Sequence, residues 1–216
     1  MKIHMTIKQQ KGFTLVEMII TIFLFSLLIV IVSDVFSRAQ QAQRRTVALQ
    51  RLQDDMRFFM NKIASGVRSG SVTYEWYAEP THGISQNGND TLALTTLDGK
   101  KLLVKRGKDT NAPLPTPCDD ADQSVPCILL MSEDNSATWQ QASSGNVRIE
   151  RLLFFVTPQK DPFSLEQQSD GFLEYNAQTQ PKITVSVSAS SRVTGLRGSV
   201  PRMSLQTTVS SREYKR

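Results

Sequence analysis

From Phe13 to Val32 nearly every side chain is Leu, Ile, Val, Phe or Met, a run close to the ~20 residues a helix needs to cross a bilayer. One residue disturbs the run. Glu17 places a carboxylate a few positions inside the apolar boundary, where an unpaired charge costs roughly 2.5 kcal/mol or more. A partner for it is expected. Ahead of the run, Lys2, Lys8 and Lys11 form a basic leader without an acid, and Gly12 stands directly before Phe13. An ordinary secretory signal is cut behind its apolar segment at small residues. This junction is arranged to be cut in front of it.

The stretch Lys11-Gly12-Phe13-Thr14-Leu15-Val16-Glu17 resembles the prepilin motif of type IV pilins and type II secretion pseudopilins. The resemblance implies cleavage after Gly12 by a prepilin peptidase and N-methylation of the new terminus at Phe13 by the same peptidase/methyltransferase. It gives Glu17 a role in assembly, as the partner of the terminal amine of its own or a neighbouring subunit. The implied partners are other pilins or pseudopilins and an assembly platform in the inner membrane. The implied location is the bacterial inner membrane, single-pass with an extracytoplasmic C-terminal domain, and then the filament. A plain single-span anchor carrying an exported domain is the alternative.

The implied fold is α+β and pilin-like, with a long N-terminal helix, half in the membrane and half amphipathic, packed on an antiparallel β-sheet domain. Three segments follow: a leader over 1–12, a helix over 13–65 with its transmembrane part at 13–32, and a β-rich globular domain over 66–216. The residues themselves agree with that division. Val35 to Ser65 contains neither Pro nor Gly, so nothing there ends a helix. Leu49, Leu52, Met56, Phe59 and Ile63 recur at spacings of three and four, which puts them on one face. That stripe is expected to pack on a sheet, and Gly66 is expected to cap the helix. A coiled-coil dimer is the competing use of the stripe, but the opposite face lacks regular charge pairing.

Beyond Ser69 the period changes. Val72 to Tyr77 alternates and is aromatic, Thr91 to Thr95 and Lys101 to Lys105 follow, and Asp98-Gly99 between the last two is a strong hairpin signal. An antiparallel meander is expected. Ile128 to Met131, Arg148 to Val156, Ile183 to Ala189 and Met203 to Ser210 read as later strands. Residues 107–126 read as a proline-rich loop. Cys118 and Cys127 are the only cysteines and bracket its end, so a disulfide has one connectivity, and two buried free thiols are the alternative.

Catalytic signals are sparse. His82 lies in Pro80-Thr81-His82-Gly83 with no nucleophile-elbow sequence in the chain, and reads as a surface loop residue. Asp119, Asp120 and Asp122 are oxygen-rich but match no defined Ca²⁺ loop, so no metal and no cofactor are expected. The formal charge of +5 falls to +2 without the three leader lysines, which is weakly basic. The expectation is a non-enzymatic minor pilin or pseudopilin, with the J-type minor pseudopilins and PilW-like minor pilins as the nearest subtypes. A DNA-binding tip subunit is the alternative partner reading. It rests on Arg192, Arg197, Arg202, Arg212, Lys215 and Arg216, with Tyr214 among them.

Overall fold

The computed structural model describes residues 12–108, 116–118, 127–133, 138–167, 173–175, 179–193 and 200–211. Contacts divide the chain into two compact units, Met1–Arg44 and Arg45–Arg216. Within the described part of the first there is only helix α1 and the residues leading into it; α1 runs Leu15–Ser69.

In the second unit α1 buries Ala48, Leu52, Met56, Phe59, Met60, Ile63, Ala64 and Val67. Four of the five positions expected on this stripe are among them. Leu49 is not: it lies at the exposed margin, and Ala48 takes the inward place. The helix also passes through Gly66 instead of ending there. A Cβ at Gly66 would meet Leu102 Cδ2 at 3.2 Å and Leu94 Cδ1 at 3.7 Å, so the glycine serves close approach of helix to sheet.

Strand β1 (Gly70–Val72) starts a five-stranded antiparallel meander with β2 (Thr91–Thr96), β3 (Lys101–Lys108), β4 (Cys127–Ser132) and β5 (Gln140–Gln141), in that order. The turn between β2 and β3 holds Gly99 at φ 75°, which a residue with a side chain adopts only with strain. A second sheet has the order β10 (Arg202–Ser210), β9 (Lys182–Ser191), β6 (Val147–Thr157), all antiparallel. A small ribbon pairs β7 (Leu165–Gln167) with β8 (Leu173–Tyr175).

The expected strand over Val72 to Tyr77 is corrected. It ends at Val72, and Tyr74–Ala78 is a short helix, α2. Tertiary hydrogen bonds outweigh the β propensity of its aromatics. Tyr77 is buried, its hydroxyl accepts from the Ala93 N–H at 3.0 Å and donates to the Thr91 carbonyl at 3.3 Å, and a strand would carry it away from β2.

Both main sheets share one core with α1. Leu92, Val104, Leu129, Phe154, Ile183, Val185 and Val187 are fully buried in it. Strand β6 reaches this core with a change of parity. Val147 and Ile149 face inward, then Leu152, Phe154 and Val156, and the register shifts between Ile149 and Arg151. Glu150 is the extra residue of that bulge.

Candidate processing and assembly site

The N-terminal motif is built on a helix start. Gly12, Phe13 and Thr14 precede α1 without helical structure, and Phe13 is 74% exposed. Thr14 caps the helix: its Oγ1 accepts from the Glu17 N–H at 3.3 Å, and its carbonyl accepts from the Met18 N–H at 3.2 Å. Thr14-Leu15-Val16-Glu17 therefore has the spacing of a capping box, and the acid lies in the first turn, at the positive end of the helix dipole. Of this capping pair, sequence reasoning assigned Glu17 alone. Thr14 was readable from the Thr-x-x-Glu pattern.

Behind the cap, the apolar side chains from Leu15 to Phe36 are all exposed. This part of α1 is long and apolar enough to cross a membrane. Two of its hydroxyls are satisfied within the helix, Thr21 Oγ1 donating to the Met18 carbonyl and Ser26 Oγ to the Ile22 carbonyl. Hydrocarbon requires that internal pairing. Among the described residues the first ion pair comes after the run, between Arg38 and Asp34 at 3.0 Å.

A family model described as the prokaryotic N-terminal methylation motif matches residues 7–33. The chain carries the N-terminal motif of type IV pilin-like and pseudopilin-like proteins. The match spans the capped start and the whole apolar run, and the motif implies processing by prepilin peptidase, anchoring by the N-terminus and assembly with other pilins. Comparison with curated proteins and with solved structures finds no match.

The remaining candidates of this pilin-like chain fall into three groups. Cys118 and Cys127 are joined by a disulfide with Cα atoms 5.9 Å apart, which ties the segment after β3 to the start of β4. Asp119, Asp120 and Asp122 lie outside the described residues, as does the leader with Lys2, Lys8 and Lys11; among the described residues no cluster of metal-ligating side chains occurs. Of the C-terminal cations, Arg197, Arg212, Lys215 and Arg216, and also Tyr214, lie outside them too. Arg202 pairs with Glu150 at 3.1 Å and Arg192 donates to the Gly145 carbonyl at 2.8 Å.

His82 has a structural setting. Its ring stacks on Trp76 with centroids 3.9 Å apart, and Nδ1 lies 3.1 Å from Glu79 Oε2. A cleft of about 540 Å³, which His82 does not line, is bounded by Tyr74, Tyr77, Ile84, Lys160, Asp161 and Ser164 among others. Burial first, then the charge of Asp161, pushes the Tyr74 phenol far up, and its hydroxyl donates to the Pro158 carbonyl at 3.0 Å. Burial pushes the Tyr77 phenol up to about 12. Both phenols stay protonated at neutral pH as hydrogen-bonding props, which is the opposite of an activated base.

Proposed function

We propose that this chain is a minor pilin or pseudopilin, cut after Gly12, N-methylated on Phe13, and built into a filament of the type IV pilus or type II secretion kind. One observation carries the reading: a carboxylate in the first turn of an otherwise lipid-like helix, immediately behind an exposed, non-helical Gly12-Phe13 junction. An extended, accessible segment is what a peptidase needs. A Cβ at Gly12 would meet nothing within 4 Å, so the fold itself makes no demand for glycine there. The demand comes from an external reader.

Cleavage would place a cationic amine on Phe13, four residues before Glu17. In low dielectric an ammonium and a carboxylate attract strongly enough to offset part of the cost of burying each. A subunit whose Glu17 is satisfied by a neighbour's amine leaves the bilayer in register with that neighbour, while the apolar side chains from Leu15 to Phe36 exchange lipid for other helices. Energy and guidance come from the assembly platform and its partners in the inner membrane. The size of the domain, its large β region and a disulfide placed between β3 and β4 support a minor subunit, of the J-type or PilW-like sort.

The test is Glu17→Val, expressed in cells with a working assembly system. The variant should be processed to the same mature mass as the parent and yet be absent from the sheared filament fraction. Equal incorporation of both proteins would remove the assembly role of the carboxylate.

A further inference from the structure

Strand β10 is the edge of its sheet, and its outer side is open. Its register with β9 runs unbroken from Arg202 opposite Ser190 to Ser210 opposite Lys182. One more bond is made beyond each end, from the Ser191 N–H to the Pro201 carbonyl at 3.0 Å and from the Ser211 N–H to the Pro181 carbonyl at 2.9 Å. In an antiparallel ladder hydrogen-bonded pairs alternate with unbonded ones. Met203, Leu205, Thr207 and Val209 therefore bond to β9, while Ser204, Gln206 and Thr208 turn their N–H and C=O groups the other way. Among the described residues no backbone group meets them there.

Exposure agrees with this count. Ile183, Val185, Val187 and Ala189 of β9 are fully buried, whereas Met203 and Leu205 pack against the same core and stay half-buried, which leaves their flank away from β9 uncovered. On the opposite face Ser204, Gln206 and Thr208 are exposed. Only the end of the strand is closed, where Val209 is buried and the Ser211 hydroxyl donates to the Gly70 carbonyl at 2.9 Å.

The other edges differ. That of β6 is occupied by Asn89, which exchanges backbone bonds with Phe154 at 2.8 and 2.7 Å, and by Arg106, which donates to the Glu150 carbonyl. Strands β1, β5, β7 and β8 span only two or three residues each. A long edge is usually blunted by Lys, Pro or a bulge. From Met203 to Ser210 β10 has none of these.

We propose that β10 receives an extended segment of another protein as a further strand of its sheet. The edge specifies the chemistry of that segment. Every second residue is apolar, to cover the flanks of Met203 and Leu205. The residues between are Ser or Thr, extending rows in which hydroxyls already meet across the strands, Ser188 with Ser204 and Thr184 with Thr208, each at 2.8 Å. One charge is specified as well. The Arg202 side chain gives Nε to Glu150 and is still 74% exposed at the start of the strand. An antiparallel partner, the more stable direction, ends beside it and suits an acid near its own C-terminus. A second copy of β10 does not supply that complement, because Met203 to Ser210 contains no acid.

The probe is a synthetic peptide as long as β10, alternating Val with Thr and Ser and carrying Asp near its C-terminus. Backbone amide exchange is followed by NMR on the full chain in detergent micelles. In the free chain Ser204, Gln206 and Thr208 should exchange freely while Leu205 and Thr207 are protected; with saturating peptide the first three should slow by at least about tenfold. Q206P removes an outward N–H that no bond to β9 uses, so it should keep the melting temperature and abolish the slowing at Ser204 and Thr208. R202Q should weaken binding of the Asp peptide and leave that of its Asn counterpart unchanged. Protection of the three amides in the free chain, no slowing with peptide, slowing retained in Q206P, or an Asp peptide that binds no better than the Asn one would overturn the proposal. So would slowing of the same amides on raising the chain concentration without peptide, which would assign the edge to a second copy.

Discussion

The two halves of helix α1 obey different rules although no residue interrupts it. From Leu15 to Phe36 every apolar side chain is exposed; from Ala48 to Val67 eight side chains are buried, at spacings of three, four and one. The first half has apolar residues all round and no stripe, which suits a solvent of lipid tails or of other helices. The second half has a stripe that fills the core of its own unit. A helix can therefore be stabilised along one part by what surrounds the molecule and along another by what the molecule brings with it.

That contrast is open to direct attack. The largest effect is expected at the junction: Gly12→Leu should abolish processing altogether, leaving the precursor mass in membranes, while the melting of the sheet-bearing unit stays as it was. Next comes a matched pair. Leu52→Ala removes a side chain that is 1% exposed and should cost roughly 2 to 5 kcal/mol, read as a fall in the denaturation midpoint. Leu24→Ala, at a position 55% exposed, should leave that midpoint unchanged. Equal losses at both sites would mean that the two halves are not distinct in the way described.

Smaller effects sharpen the account of the second unit. Cys118→Ser/Cys127→Ser should lower its stability by about 2 to 3 kcal/mol, the usual worth of closing a short loop. Chemical denaturation with and without reductant checks this, since the parent should match the variant only when reduced. Alkaline pH gives the mildest perturbation. The Tyr77 phenol is raised from 10.0 to about 12, so the folded state holds its proton more tightly than the unfolded chain does. Its contribution is complete below pH 10 and is lost as pH rises from there through about 12. Tyr77→Phe should flatten that part of the stability profile.

Much of this was legible in the sequence, for reasons that differ by region. The capped apolar run carries its meaning in residue types at fixed positions, so Gly12, Phe13 and Glu17 stood out without any fold. The strands over β9 and β10 were legible because they alternate, and those over β2, β3, β4 and β6 because they are apolar runs bounded by turn residues. Three features were not. Gly66 looked like a cap because its partners, Leu94 and Leu102, come from strands far along the chain. Val72 to Tyr77 looked like a strand because the hydrogen bonds of Tyr77 to Thr91 and Ala93 are tertiary. The change of parity in β6 needed the bulge at Glu150, which alternation alone does not reveal.

The most direct measurement of the central claim is the intact mass and N-terminal sequence of the protein from membranes of cells with and without a prepilin peptidase. The account predicts a chain beginning at Phe13 and carrying a methyl group when the peptidase is present, and a chain beginning at Met1 when it is absent. A chain beginning at Met1 in both would contradict it, and would leave α1 as a simple anchor for the domain that follows.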